Sequence, residues 1–218
     1  EWRREIMAVV DVKLEKLSEV SMRDFSTFGR IIGRDEDTEE GKYELHPVDA
    51  KPAVENSMIK AYWDLIPFKD NKEDRFSMGM LFVYPKPIGE ILNWTEVHYE
   101  TYEFFFPLGG KQFIFVLAPK SEVPEAEKTR AFLIGPNEGV LLNKGTWHYP
   151  PFAIDGPTPV LMPRFGKLGE ITGDVTEAYG KKWETPVGNR YFKGQLHALK
   201  TDYYGEGYGG EYKIRIIL

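Results

Sequence analysis

The 218-residue chain contains no cysteine. That absence excludes a disulfide framework, a thiolate metal site and a cysteine nucleophile, and it suits a cytoplasmic protein. Charge of one sign does not dominate: 28 Lys and Arg stand against 34 Asp and Glu, a formal charge of −6, and the cations are scattered among acids. The electrostatic footprint of a nucleic-acid binder is therefore missing. No apolar run approaches the ~20 residues that a membrane-spanning helix needs, and the N-terminal stretch lacks a cationic segment followed by an apolar core and a small-residue cleavage site. The expected partners therefore include neither nucleic acid nor membrane. Met7 is a candidate start, which would make Glu1 to Ile6 an upstream extension.

What is present supports a packed core. Aromatic residues make up 14% and the hydrophobic class 42% of the chain, which argues against global disorder. From Phe76 onward short runs rich in Phe, Val, Ile and Tyr are separated by Pro, Gly and Asn, the texture of successive strands. Strands are expected near 77–84, 93–99, 102–107, 111–118, 130–134, 139–143 and 159–165. Leu108-Gly109-Gly110-Lys111 reads as a hairpin turn between the third and fourth. Because these strands do not alternate with helices, an antiparallel barrel or sandwich is favoured over a Rossmann-like sheet. The Gly-rich tract from Gly205 to Gly210 lacks phosphate-loop spacing.

Outside this region the signals are weaker. Ser21 with Asp24 resembles a capping box, predicting a short helix from about Met22 to Phe28 with Gly29 as its stop. Residues 53–65 carry a second helical pattern through Val54, Met58, Ala61 and Leu65. Tyr212 to Leu218 alternates and is β-branched, so a closing strand is expected that covers a sheet edge of this subunit or another. The whole reads as one domain over 1–218, with a core barrel at about 70–166, an N-terminal wrapping segment at 7–69 and a C-terminal extension at 167–218.

Four side chains stand out as candidate metal ligands: Glu96, His98, Glu103 and His148. Glu96 and His98 are two apart and would share a strand face, while Glu103 and His148 would come from neighbouring strands of a barrel interior. Two carboxylates and two neutral imidazoles form a mixed set suited to a divalent first-row ion such as Ni, Mn, Fe, Co or Zn. The alternative is a hydrogen-bonded polar interior without metal. Glu100 reads as an exposed loop acid, Trp147 as core, and His46 and His197 as exposed loop residues without a partner at ligand spacing.

The spacing Glu96-x-His98, four residues, Glu103, six residues, Gly110, followed by Gly145-x-x-His148, is similar to the two cupin motifs, with Glu96 in place of the usual first His. More particularly, Glu96-x-His98, Glu103 to Leu108, Gly110, Arg130-Ala131-Phe132, Gly139-Val140 and Trp147-His148-Tyr149-Pro150 together resemble the ureidoglycolate lyase family. Upstream, Leu17-Ser18, Phe25-x-x-Phe28-Gly29 and Tyr62-x-Asp64-Leu65 extend the likeness to roughly residues 12–166. Two departures stand out: Glu103 where members often carry Gln, and a longer segment after Gly166.

The resemblance implies a cupin-like antiparallel β-barrel (a double-stranded β-helix) with a few peripheral helices, a homodimer, and cleavage of ureidoglycolate to glyoxylate and urea. That reaction needs an α-hydroxycarboxylate to be held, its hydroxyl deprotonated and the departing nitrogen protonated. Glu103 and Tyr149 are the candidates for proton transfer. Arg130 and Lys144 are candidates for the substrate carboxylate, with surface ion pairing as the alternative for both. Two other functions fit the same barrel: metal-dependent isomerisation, dehydration or oxygenation of another hydroxy or keto acid, and non-catalytic binding of a small acid.

Overall fold

A computed structural model describes residues 9–33, 54–55, 60–61, 74–92, 95–99, 101–122, 124–167 and 212–218. They are mostly strand, arranged in two sheets. One has seven strands, in spatial order β6 (Ile91–Leu92), β14 (Ile214–Ile217), β1 (Val10–Lys16), β10 (Arg130–Ile134), β9 (Phe113–Ala118), β12 (Trp147–Ala153) and β7 (Glu96–Val97). The other has five, β2 (Gly29–Ile32), β11 (Gly139–Leu142), β8 (Thr101–Pro107), β13 (Thr158–Lys167) and β5 (Asp74–Val83). A separate two-stranded ladder joins β3 (Val54–Glu55) to β4 (Lys60–Ala61).

The inner faces of the two sheets bury one aromatic core. On β8 the burial alternates, with Thr101, Glu103, Phe105 and Pro107 inside and Tyr102, Phe104 and Phe106 half-covered outside. This is the period-2 signature of a strand with one fully covered face. β9 is buried at every position, since it is central and its sheet is covered on both sides. Phe105, Phe113, Phe115, Leu117, Phe132 and Val160 meet between the sheets, and Phe25 and Phe28 close one end against Phe132. A second cluster, including Val12, Ile114, Val116, Tyr212 and Ile214, lies on the other face of the larger sheet. The cupin-like, mainly antiparallel architecture expected from the sequence is present; β1 departs from it by running parallel to both β10 and β14.

Several local expectations are corrected. Gly109 and Gly110 do form a tight turn, both with positive φ and with Lys111 N–H donating to the Leu108 carbonyl. It is not a hairpin turn, because β8 and β9 belong to different sheets and the turn carries the chain across the barrel. The first helix, capped as expected by Ser21 Oγ accepting from Asp24 N–H at 3.1 Å, spans only Met22–Phe25. Gly29 does not stop it; it lies on β2, where a Cβ would collide with the Leu141 carbonyl oxygen. The helix expected over 53–65 is absent where those residues are described: 54–55 and 60–61 are strands. β12 was not anticipated as a strand of its own, because Pro150 and Pro151 argue against one; a register shift between Tyr149 and Phe152 accommodates them. The closing strand is present, seated between β1 and β6 of its own chain. His46, Glu100 and His197 lie outside the described residues. Among the described residues, no helix is long and apolar enough to cross a membrane.

Candidate metal centre

Cross-strand register builds the site. In the larger sheet Arg130 pairs with Leu117, Leu117 with His148, and His148 with Glu96, so the four lie in one row on one face. In the smaller sheet Leu142 pairs with Glu103 and Glu103 with Arg164, giving a second inward row. The rows meet at the histidines. His98 follows β7 directly, and its carbonyl accepts a 2.7 Å hydrogen bond from Gly145 N–H. Gly145 sits at φ +89°, a conformation that favours glycine. One residue on, the Thr146 carbonyl lies 3.2 Å from His148 Nδ1, which directs Nε2 of that ring inward. The Gly-x-x-His motif thus places both imidazoles: its glycine holds one by the backbone and its last residue is the other.

His98 and His148 stack obliquely with ring centroids 5.2 Å apart, and Phe105 and Phe115 pack edge-on against His148. Both Nε2 atoms lie 3.3 Å from Glu103 Oε2, and His148 Nε2 is 3.5 Å from Glu96 Oε1. The other oxygen of Glu103 is held by Arg164, whose Nε lies 2.7 Å from Oε1. His98, Glu103, His148 and Arg164 are buried, and Glu96 is partly exposed.

Burial alone would drive both imidazoles to the neutral form. At His148, hydrogen bonds to Glu103 and Glu96 outweigh it and push the pKa up to about 10. At His98 burial prevails and lowers it to about 4, against the pull of Glu103. Burial would also raise the Glu103 pKa, but His98, the Arg164 guanidinium and the His148 hydrogen bond hold it well below the usual carboxylate range. The imidazole pair therefore holds one proton, and the cluster balances two carboxylates against an imidazolium and a guanidinium.

The donors fit a divalent cation. Glu96, His98 and His148 each offer a ligand atom, all within 4.8 Å of one another. Ligand bonds of about 2.0–2.2 Å place neighbouring donors roughly 3.0–3.5 Å apart, and the 3.5 Å between His148 Nε2 and Glu96 Oε1 matches that shell. A doubly charged ion in place of the imidazolium proton would leave the site one unit positive and so receptive to a monoanion.

The other expected site residues lie elsewhere. Tyr149 follows His148 on β12, and strand alternation turns its ring to the opposite face, where it packs on Phe152; this corrects its placement as a proton donor. Arg130 shares the inward row but stands two strands from His148, forked onto Glu15 at 2.8 and 2.6 Å and lying over the Phe132 ring. The ion-pair alternative therefore describes it. Lys144, in the turn before β12, sits 4.7 Å from the Tyr102 ring centroid. Trp147 is fully buried on the outer face, donating to the Ser121 carbonyl. Arg164 was missed, although a lone arginine at an inward position of the apolar run Val160 to Phe165 was a signal.

A barrel of two β-sheets whose inner rows converge two histidines and two carboxylates defines a cupin-type protein with a candidate centre for a divalent ion. Residues 12–178 match the family model described as ureidoglycolate lyase, and the chain belongs to that family. A protein named ureidoglycolate lyase from Salmonella enteritidis PT4 is 26% identical over 150 residues, 69% of this chain and 86% of that protein. One of the same name from Pseudomonas syringae pv. syringae is 34% identical over 83 residues, covering 38% of this chain and 49% of that protein. Among solved structures, the chain is similar to NovW, a 4-keto-6-deoxy sugar epimerase of Streptomyces spheroides, at 10% identity and a TM-score of 0.33, over 62% of this chain and 71% of that one.

Proposed function

We propose that the protein is a carbon–nitrogen lyase that cleaves ureidoglycolate to glyoxylate and urea at the Glu96, His98, Glu103, His148 and Arg164 cluster. The observation that carries this reading is the convergence of those side chains inside a barrel of the ureidoglycolate lyase family. Glu96, His98 and His148 would hold a divalent first-row ion. Such an ion supplies Lewis acidity that lowers the pKa of a hydroxyl held beside it.

The protein's own groups divide the remaining work. The net charge favours a monoanion, which the carboxylate of ureidoglycolate provides. Glu103 Oε2 faces the same point as both Nε2 atoms and is the acceptor for the hydroxyl proton. Because Arg164 holds Glu103 acidic, the carboxylate takes a proton only from an acidified hydroxyl and returns it readily. As the hydroxyl oxygen forms the aldehyde carbonyl of glyoxylate, the carbon–nitrogen bond breaks with its electron pair on nitrogen. Glu103 then protonates that nitrogen, releasing urea, so the proton balance closes within the site. Phe105 and Phe115, packed edge-on against His148, shield one side of that imidazole from water.

Product identity tests the reading. Purified protein loaded with a divalent ion and given ureidoglycolate should release urea and glyoxylate in equal amounts, and His148→Ala should abolish both. Metal-loaded, folded protein that yields neither product would assign the centre to another hydroxy or keto acid.

A further inference from the structure

The larger sheet carries β6 on one edge and β7 on the other. Yet Leu92 of β6 and Glu96 of β7 are four positions apart in the chain, a reach of at most about 14 Å. Six strand spacings of ~4.8 Å would set the edges of a flat sheet about 29 Å apart, so this sheet doubles back on itself. The bend lies along β1, which pairs with β14 over residues 10–13 and with β10 over residues 14–16. Beyond it, β14 and β6 form a flap over the outer face of the sheet, where Leu92, Ile214 and Ile216 share one buried cluster with Ile114, Val116 and Phe152.

The flap bears on both strands that carry the site. Among the described residues β6 pairs only with β14, through Leu92 opposite Ile214 and Ile91 opposite Arg215, and β7 pairs only with β12. Glu96 is thus anchored on one side by its pairing with His148 and on the other, through four residues of chain, by β14. Behind His148, the ring of its neighbour Tyr149 packs into the same cluster as Ile214 and Ile216. β14 lies beyond residues 12–178, so the family match does not cover it.

We propose that β14 is a clasp for the candidate metal centre: seated, it fixes the spacing of Glu96 and His148, and unseated, it lets them part. Leu92, Tyr149, Ile214 and Ile216 are then positioning residues, which act on the site only through Glu96 and His148. Because the seated strand and an occupied site favour the same arrangement of these two side chains, each strengthens the other. The role of the pair as ligands rests on the proposed function, whereas their placement by β14 does not.

Arg215 is exposed and forks onto Asp11 at 2.7 and 3.0 Å, so its side chain lies outside the cluster. Arg215→Pro in the full chain removes a backbone N–H from the middle of β14 and alters no buried side chain. The chain has only four histidines, so imidazole resonances read the site directly, with His98→Asn and His148→Asn assigning them. Arg215→Pro should displace the His98 and His148 signals and weaken Zn²⁺ retention against a competing chelator by roughly 10- to 100-fold. Arg215→Ala, which keeps the N–H, and Ser21→Ala, which uncaps the helix Met22–Phe25, should do neither. Should the proline variant fail to fold, Ile216→Val, which trims one buried carbon, should displace the same signals by less. Unchanged His98 and His148 signals in whichever of these two variants folds, equal displacement in Ser21→Ala, or undiminished retention of a Zn²⁺ that the wild type holds would overturn the proposal. The imidazole readout needs no ion: signals that move in a protein unable to hold Zn²⁺ would remove the metal reading and leave the clasp in place.

Discussion

The guanidinium of Arg164 lies 2.7 Å from the one oxygen of Glu103 that the histidines do not share, so a single carboxylate joins the arginine to both imidazoles. Arg164 thereby keeps a buried anion ionised. Arg164→Met should leave Glu103 buried without its cation and destabilise the fold by roughly 3–5 kcal/mol, as read from chemical denaturation. The double variant Arg164→Met with Glu103→Gln should recover most of that loss. A cycle with no coupling between the two substitutions would mean that the pair is not formed in solution.

Glu103→Gln alone distinguishes two roles. If Glu103 acts in proton transfer, the ion stays bound while turnover falls by roughly 10²–10⁴. If it ligates the ion, retention falls as well, because a charged donor becomes neutral. The proposed division of labour expects the first outcome, measured as metal content and turnover on the same preparation.

Gly145 should be sensitive out of proportion to its size. Alanine there must adopt φ near +89°, with its Cβ 2.8 Å from Lys120 Cδ. The flexible lysine can move, so the backbone strain sets a cost of about 1–3 kcal/mol. Because Gly145 N–H holds the His98 carbonyl, Gly145→Ala should also weaken metal retention, which a merely destabilised surface turn would not do.

The barrel was readable where strands show their inner face plainly. β10 matches its expected bounds, and β8, β9, β11 and β13 lie within a residue or two of theirs. β1 and β2 were not read as strands. The first is mixed in burial and interleaved with charge, and it is held by parallel pairing with residues more than a hundred positions away, which no local pattern reveals. At the site, Glu96, His98, Glu103 and His148 were visible as motif spacing. Arg164 was not, because it belongs to no motif and reaches Glu103 only through the pairing of β13 with β8. Tyr149 was misplaced by its adjacency to His148, since neighbours on a strand face opposite ways.

Tyr212 gives the fold a pH dependence. Its hydroxyl is buried 3.1 Å from Thr129 Oγ1, and burial raises its pKa despite that hydrogen bond. A group with a raised folded pKa contributes stability that is complete below its unfolded pKa of ~10 and is lost as pH rises through the folded value. Wild-type stability should therefore fall more steeply than that of Tyr212→Phe above pH ~10. Parallel curves for the two proteins in urea titrations would show that the hydroxyl is solvated.

The proposed function requires a metal centre at Glu96, His98 and His148, and a titration tests it most directly. Chelator-treated protein is titrated with a divalent first-row ion while bound metal and urea release are measured on the same samples. Activity should rise in proportion to bound ion and level off at one ion per chain, with His98→Ala neither retaining the ion nor releasing urea. Full urea release by the chelated protein, or full activity in His98→Ala, would contradict the assignment.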